Sequence, residues 1–459
     1  MASPALHFKP EEIDNIEKRR KYTVSIIGCG RIGILHAYLF AEAGFKIICA
    51  DVNQTVVNLL AKGKAPFLGH ENEAKLKNYA KNGNFNCTND VKTAVTQSDI
   101  ILITVPLRID TRKHADYSDI ERVCKEVGAS LHHGSIVFVM NIYGIGTTEG
   151  LIRENLENTS GLKAGIDFGL AYSPIQIAHN QASEIIANLG RVVAAADKNT
   201  LGAASAILAS IIKSGVQEIT NIKTAEAATL FGLVQDDVDI ALANEFALLC
   251  ERAGVDYLEV CRLANMGRRS CLPLPILADE DHREKPHILL EDAENLNAKL
   301  RMPAIAREIN EEITKHVANL VKDALTKCGK TLRRARVSLL GLSRTPNMKD
   351  SPKKIIEEIA KTLETRGAKI SLYDPYFLNN EQTERPYVFK ESLIEAAEGA
   401  DCIIILVEHD QFKRLNLKNL KVIMRMPAAI VDLAGIAEPD KVEKEGIVYR
   451  GLGRGVWTK

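Results

Sequence analysis

Three glycines, at 28, 30 and 33, followed by a carboxylate at Asp51, are the residues of this 459-residue chain whose types and spacing speak most directly of chemistry. The apolar run Val24-Ser25-Ile26-Ile27 ends in Gly28-Cys29-Gly30-Arg31-Ile32-Gly33, and an apolar helical pattern (Leu35, Leu39, Phe40, Ala43) follows at once. A second apolar run, residues 45–50, stops at Asp51. In a strand–turn–helix of this kind Gly28 permits the tight turn and Gly30 lets the backbone approach a pyrophosphate. Gly33 lets the helix pack closely on the strand. The helix start offers free N–H groups and a positive dipole end to the phosphates. Asp51 falls where a carboxylate accepts hydrogen bonds from the adenosine ribose hydroxyls, which favours NAD over NADP. Gly28, Cys29, Gly30, Arg31, Ile32, Gly33 and Asp51 are therefore expected to hold NAD.

A turn of this type needs a parallel sheet to hold it. Two more strand-like runs, 100–105 and 135–140, are separated by helical patterns, as in a doubly wound sheet. Val105-Pro106 closes the first and Gly144-Ile145-Gly146-Thr147-Thr148 follows the second. Ligands meet such sheets at loops after strand C-termini, so Val105 and Pro106 join the expected cofactor contacts. Residues 199–253 read as long helices rich in Ala, Leu and Ile, and 304–326 as another, with a polar stretch over 268–286 between them. A second α/β unit starts at Arg336, with strands expected over 337–342, 369–373, 402–407 and within 422–432, and an amphipathic helix over 352–366.

Composition narrows the class. Lysine plus arginine and aspartate plus glutamate are equal at 59 each, so no charge excess points to nucleic acid or an anionic membrane. No apolar run is long enough to span a bilayer, and residues 1–21 lack the apolar segment of a signal peptide. The nine cysteines are scattered without C-x-x-C pairs, the pattern of reduced thiols in a cytoplasm.

The order of α/β unit, helical middle and α/β unit, with several local phrases, resembles the nucleotide-sugar dehydrogenase family, which includes UDP-glucose, GDP-mannose and UDP-N-acetylmannosamine dehydrogenases. The phrases are Ala241-Leu242-Ala243-Asn244-Glu245, Cys250-Glu251-Arg252-Ala253-Gly254-Val255-Asp256 and Ala306-Arg307-Glu308-Ile309-Asn310. Further along come Gly341-Leu342 leading to Pro346-Asn347, Tyr373-Asp374-Pro375, Glu408-His409-Asp410-Gln411-Phe412 and Tyr449-Arg450-Gly451-Leu452-Gly453-Arg454. The resemblance implies two Rossmann-like domains joined by a helical dimerisation region, NAD in the first domain, a nucleotide sugar near the third, and a place in polysaccharide biosynthesis. The expected division is an N-terminal arm (1–21), an NAD-binding domain (22–198), a helical central domain (199–330) and a C-terminal nucleotide-sugar-binding-like domain (331–459). A homodimer built on the helical middle is expected, because its helices carry more apolar surface than a short bundle can hide.

The reaction implied by the resemblance is a four-electron oxidation of a sugar alcohol to a carboxylate. It needs a cysteine thiolate to trap the aldehyde, a lysine and an asparagine beside the alcohol oxygen, and an acid/base for thioester hydrolysis. The family places its cysteine in G-x-G-G-x-C-x-P-x-D-P. With the last proline at Pro286, the cysteine position falls on Asp281, and the nearest cysteine, Cys271, lies ten residues upstream. The family's lysine aligns with Thr229, its asparagine with Leu233, its glutamate after Tyr172-Ser173-Pro174 with Ile175, and its lysine before Pro-Asn with Thr345. The scaffold and cofactor turn are kept, and the substrate pocket is rewritten.

Candidates for what replaces the lost chemistry are few. Asp279, Glu280, Asp281 and His282 make a new acid/base pair, a weak metal site or a solvated charged loop. Cys271 is a relocated nucleophile or, more readily, a buried structural thiol. Arg269 holds the place of an arginine that in the family reaches the sugar across the dimer interface, or is a solvated charge beside Arg268. His282, Asp236 or Asp237 could serve as a base. Three functions follow: an NAD-dependent oxidoreductase of a nucleotide sugar or related anionic molecule that works without the cysteine route; a non-catalytic NAD-binding or sensing protein; or, last, an intact uronate-forming enzyme using Cys271.

Overall fold

The computed structural model describes residues 6, 10–13, 15–65, 68–175, 188–267, 271–278, 283–348, 353–377 and 387–458. The chain divides into two compact units, one of Met1–Gly232 with His287–Asn297 and one of Leu233–Pro286 with Ala298–Lys459.

The first unit is built on an eight-stranded sheet. Its strands in chain order are β1 (Thr23–Ile27), β2 (Lys46–Ala50), β3 (Phe85–Thr88), β4 (Ile100–Ile103), β7 (Ile136–Val139), β8 (Gly169–Tyr172), β9 (Arg191–Ala195) and β10 (Val216–Ile219). A separate two-stranded hairpin, β5 (Arg108–Ile109) and β6 (Ala115–Asp116), follows β4. The spatial order is β10-β9-β8-β7-β4-β1-β2-β3, parallel throughout except for the β8–β9 pair. Strands covered on both faces can be apolar at every position, and Ile100–Ile103 is buried throughout. The chain winds outward through β2 and β3 on one side of β1 and through β4 and β7 on the other. A crevice therefore opens at the C-terminal ends of β1 and β4.

One sequence expectation is corrected here. Residues 199–253 are not helical throughout: helix Lys198–Ala209 is followed by β10, and only then by helix Ile222–Ala253. Ser214-Gly215 breaks the helical run. Val216-Gln217-Glu218-Ile219, two polar residues between apolar ends, then pairs with β9 as an edge strand.

The second unit carries a six-stranded, all-parallel sheet of β11 (Arg336–Leu340), β12 (Lys369–Tyr373), β13 (Val388–Phe389), β14 (Cys402–Ile405), β15 (Ala429–Asp432) and β16 (Val448–Gly451). The order is β13-β12-β11-β14-β15-β16. Helices Arg301–Lys327 and Lys354–Thr365 bury Val317, Val321, Ile359 and Leu363 with the strand residues Leu339 and Ile404 in one core. A buried polar network underlies the family-like phrases. Arg307 pairs with Asp237 (Nε to Oδ2, 2.6 Å), and Asn310 donates to Asp237 Oδ1 at 2.9 Å. Asn244 donates to Asn310 at 3.0 Å. Among the described residues, no helix is long and apolar enough to cross a membrane.

Candidate functional site

The turn after β1 is shaped by its glycines and fixed by its neighbours. Gly28 has φ +98°, a left-handed conformation that side chains disfavour, and its N–H donates to Ala50 O at 2.9 Å. A Cβ on Gly33 would sit 2.1 Å from Gly28 O, so only glycine lets helix Arg31–Glu42 approach β1 this closely. Thr104, just after β4, donates its hydroxyl to Gly28 O, and the Val105 side chain lies 3.3 Å from the Cβ position of Gly28. Gly30 is the helix N-cap and supplies no side-chain cap, and a Cβ there would meet nothing within 4 Å. The helix start thus turns its positive dipole end toward the place a ligand anion would take.

Asp51 follows β2 and accepts from Cys29 N–H at 2.7 Å and from Asn53 N–H at 2.8 Å. The carboxylate is half-buried. A carboxylate has about four lone-pair sites, so two hydrogen bonds leave it able to accept ribose hydroxyls. Pro106 is exposed beside Val105. The residues expected to contact the cofactor are therefore gathered at the β1–β4 crevice, as a dinucleotide requires.

The loop after β7 carries groups that the sequence pattern did not reveal. Glu226 accepts from Gly146 N–H at 2.5 Å and Thr148 N–H at 2.9 Å, and Asp292 accepts from Ile145 N–H at 2.7 Å. Burial pushes both carboxyls up, against the backbone N–H bonds that lower them. A Cβ on Gly144 would meet Asp292 and Tyr117 oxygens at 2.7 Å each, so glycine lets these two side chains converge on the loop. Tyr143 donates its hydroxyl to Val105 O, linking this loop to the turn region. A carboxylate inside the apolar stretch Ala225-Glu226-Ala227 was the available signal for Glu226; nothing local marked Asp292.

Of the residues proposed for chemistry, Arg269, Asp279, Glu280, Asp281 and His282 lie outside the described residues. Cys271 is exposed, which corrects the reading of it as a buried structural thiol. Its loop is pinned from behind: Leu272 N–H donates to Asn265 Oδ1 at 2.6 Å, and Tyr257 donates to Pro273 O at 2.9 Å. Asp237 is fully buried and committed to Arg307 and Asn310, so it is not a free base; Asp236 is exposed. Where the resemblance would set a lysine, the Thr229 hydroxyl bonds its own helix at Ala225 O, 2.9 Å. Ile175 and Leu233 are buried apolar side chains.

The second unit repeats the strand–turn–acid arrangement. Gly341, with φ +90°, donates to Tyr373 O at 2.9 Å, and Asp374 follows β12. Asp374 accepts from Leu342 N–H (2.7 Å), Ser343 N–H (2.9 Å), the Ser343 hydroxyl (3.0 Å) and His409 Nε2 (3.1 Å). Asn347 N–H in turn donates to His409 Nδ1 at 2.9 Å. Burial raises the Asp374 carboxyl, but His409 and the backbone donors outweigh it, and the net shift is downward.

Comparison with known proteins agrees with this geometry. The NAD binding domain of the UDP-glucose/GDP-mannose dehydrogenase family matches residues 22–212, its central domain 223–312 and its UDP binding domain 338–439. A UDP-N-acetyl-D-mannosamine dehydrogenase of Pyrococcus horikoshii is 30% identical over 440 residues, covering 94% of this chain and 99% of that protein. A UDP-glucose 6-dehydrogenase of Rhizobium meliloti is 26% identical over 466 residues, covering 94% and 99%. The solved structure of a UDP-D-ManNAc dehydrogenase from Pyrococcus horikoshii superposes with a TM-score of 0.83 at 28% identity, covering 95% of this chain and all of that one.

Proposed function

The chain belongs to the UDP-glucose/GDP-mannose dehydrogenase family, and from that premise we propose that it is an NAD-dependent oxidoreductase of a nucleotide sugar, or a related anionic small molecule, that does not use the family's cysteine route. One observation carries the proposal: the dinucleotide turn is complete, while Thr229, Leu233 and Ile175 replace side chains that the four-electron chemistry requires. NAD fits the first unit. Gly28 to Gly33 and the uncapped helix start receive the pyrophosphate, Asp51 receives the ribose, and Val105 and Pro106 border the crevice. NAD, when bound, supplies a hydride acceptor. The chain's own residues orient the sugar and hold a proton, and a two-electron oxidation asks for no covalent thiol.

Asp281 and His282 are the proposed acid/base candidates, Cys271 is the weaker candidate, as a relocated nucleophile, and Arg269 is a proposed substrate contact. We read residues 22–198, 199–330 and 331–459 as cofactor, helical and nucleotide-sugar domains behind an arm of 1–21, working in the cytoplasm, where nine free cysteines are at home. The helical part is proposed to form a homodimer, since Leu242, Phe246 and Leu249 on one helix and Val260 and Leu263 on the next are exposed apolar residues at helical spacing. A second reading, an NAD-binding homologue without catalysis, draws on the same replaced side chains.

Incubation with NAD and a panel of UDP- and GDP-linked sugars tests the proposal. NADH formed from one of them supports an oxidoreductase; tight NAD binding with no NADH from any of them favours the second reading.

A further inference from the structure

Three thiols meet beneath the dinucleotide turn. Cys87 on β3 lies opposite Cys49 on β2 in the parallel register, and Cys29 and Cys49 are buried in one apolar core against which Cys87 packs. Cys29 and Cys49 are buried, whereas Cys87 is partly exposed. Adjacent strands lie about 4.7–4.9 Å apart, inside the roughly 4.4–6.8 Å Cα separation that a disulfide bridges. The cluster thus reaches solvent at Cys87 and the cofactor turn at Cys29, whose N–H is held by Asp51. The hydrogen bonds to Cys29 and Cys87, followed by burial, push the Cys49 thiol well up. A thiol so buried is shielded from bulk reagents, and the partly exposed Cys87 beside it is its link to solvent.

We propose that Cys87, Cys49 and Cys29 form a peroxide-responsive thiol relay that ties the dinucleotide turn to β2 and lowers its affinity for NAD. Cys87 sulfur attacks one peroxide oxygen, the O–O bond breaks, and Cys87 sulfenic acid and one water result. Cys49 sulfur then attacks the sulfenic sulfur, its proton leaves with the hydroxyl as a second water, and a Cys49–Cys87 disulfide forms. Cys29 attacks Cys49 sulfur, the bond to Cys87 breaks, and Cys87 takes the proton that Cys29 gives up. In sum, two thiols are oxidised and one peroxide is reduced to two waters. The Cys29–Cys49 bond shortens a thiol contact to about 2.05 Å. That draws Cys29, and with it the amide that Asp51 holds, toward β2. The effect on affinity rests on the NAD reading of this turn.

The test treats the full chain with hydrogen peroxide, blocks remaining thiols and maps linked peptides by mass spectrometry without reduction. The expected result is a linkage at Cys49, to Cys29 or Cys87, that dithiothreitol reverses. By calorimetry the oxidised protein should bind NAD about tenfold or more weakly, a loss that reduction restores. Cys87→Ser should abolish the linkage while leaving the NAD affinity of the reduced protein unchanged. Absence of any linkage at Cys49, or a linkage with unchanged NAD affinity, overturns the proposal. The linkage is read without cofactor, so a reduced protein that fails to bind NAD sinks the cofactor reading separately.

Discussion

Asp51 and Asp374 occupy equivalent places in the two units, each just after the second strand of a parallel pair and each bonded to the turn that follows the first. Gly28 and Gly341 open those turns with nearly the same φ, +98° and +90°. The acids then part ways. Asp51 makes two backbone hydrogen bonds and stays half-buried, with lone pairs to spare. Asp374 is sealed, with five donors: the N–H groups of Leu342, Ser343 and Tyr376, the Ser343 hydroxyl and His409. One fold device keeps spare acceptor capacity in the first unit and is an internal brace in the second. The position alone therefore does not mark a binding acid; its unused hydrogen-bonding capacity does.

The largest expected effect is at the first turn. Gly30→Val should abolish NAD binding with little change in thermal stability, because the added side chain meets open space in the turn and collides only with a pyrophosphate. Gly33→Ala should do both kinds of damage, costing about 1–3 kcal/mol or more in a urea melt as the helix is forced off β1. If Gly30→Val binds NAD normally, the ligand-facing half of the comparison breaks.

Asp374→Asn comes next and should destabilise the protein by about 1.5–3 kcal/mol, the range for hydrogen bonds to a charged group, while leaving NAD affinity alone. Its pH dependence has a defined sign. The folded carboxyl lies below its ordinary value, so its contribution is complete above pH ~4 and fades as the pH falls through that value toward the folded one. Acid unfolding curves of wild type and Asp374→Asn should converge in that window; a constant gap would contradict the brace.

Asp51→Ala should weaken NAD by about tenfold, one or two hydrogen bonds' worth, and relax discrimination against NADP because a carboxylate repels a 2′-phosphate. Calorimetry with both cofactors checks it. The smallest effect is expected of Cys271→Ser, which should leave any activity essentially intact, since the thiol sits on a pinned, exposed loop and a two-electron oxidation asks for no covalent thiol.

Local pattern made the cofactor turn legible, because glycine spacing, flanking apolar periods and the acid at a strand end are all short-range. Lys369–Tyr373 is a strand over the bounds its apolar pattern suggests. β10 was missed because four residues, apolar only at the two ends, between long helices carry little periodic signal. Asp292 and Glu226 meet the loop after β7 from 147 and 78 or more residues away, a pairing that no window of sequence contains. Cys271 is expected to be buried, as free cysteines usually are, yet Asn265 fixes the backbone in a course that leaves the thiol outside. The resemblance to a family drew attention to 175, 229 and 233, where the structure has a buried isoleucine, a threonine bonded to its own helix and a buried leucine.

The central claim is that cofactor binding has been kept while the covalent thiol route has been lost. Counting NADH released per nucleotide sugar consumed, with the product identified by mass spectrometry, tests it most directly. The account predicts one NADH, no uronate from UDP-glucose, and the same count in Cys271→Ser. Two NADH with UDP-glucuronate as product, both lost in Cys271→Ser, would contradict it.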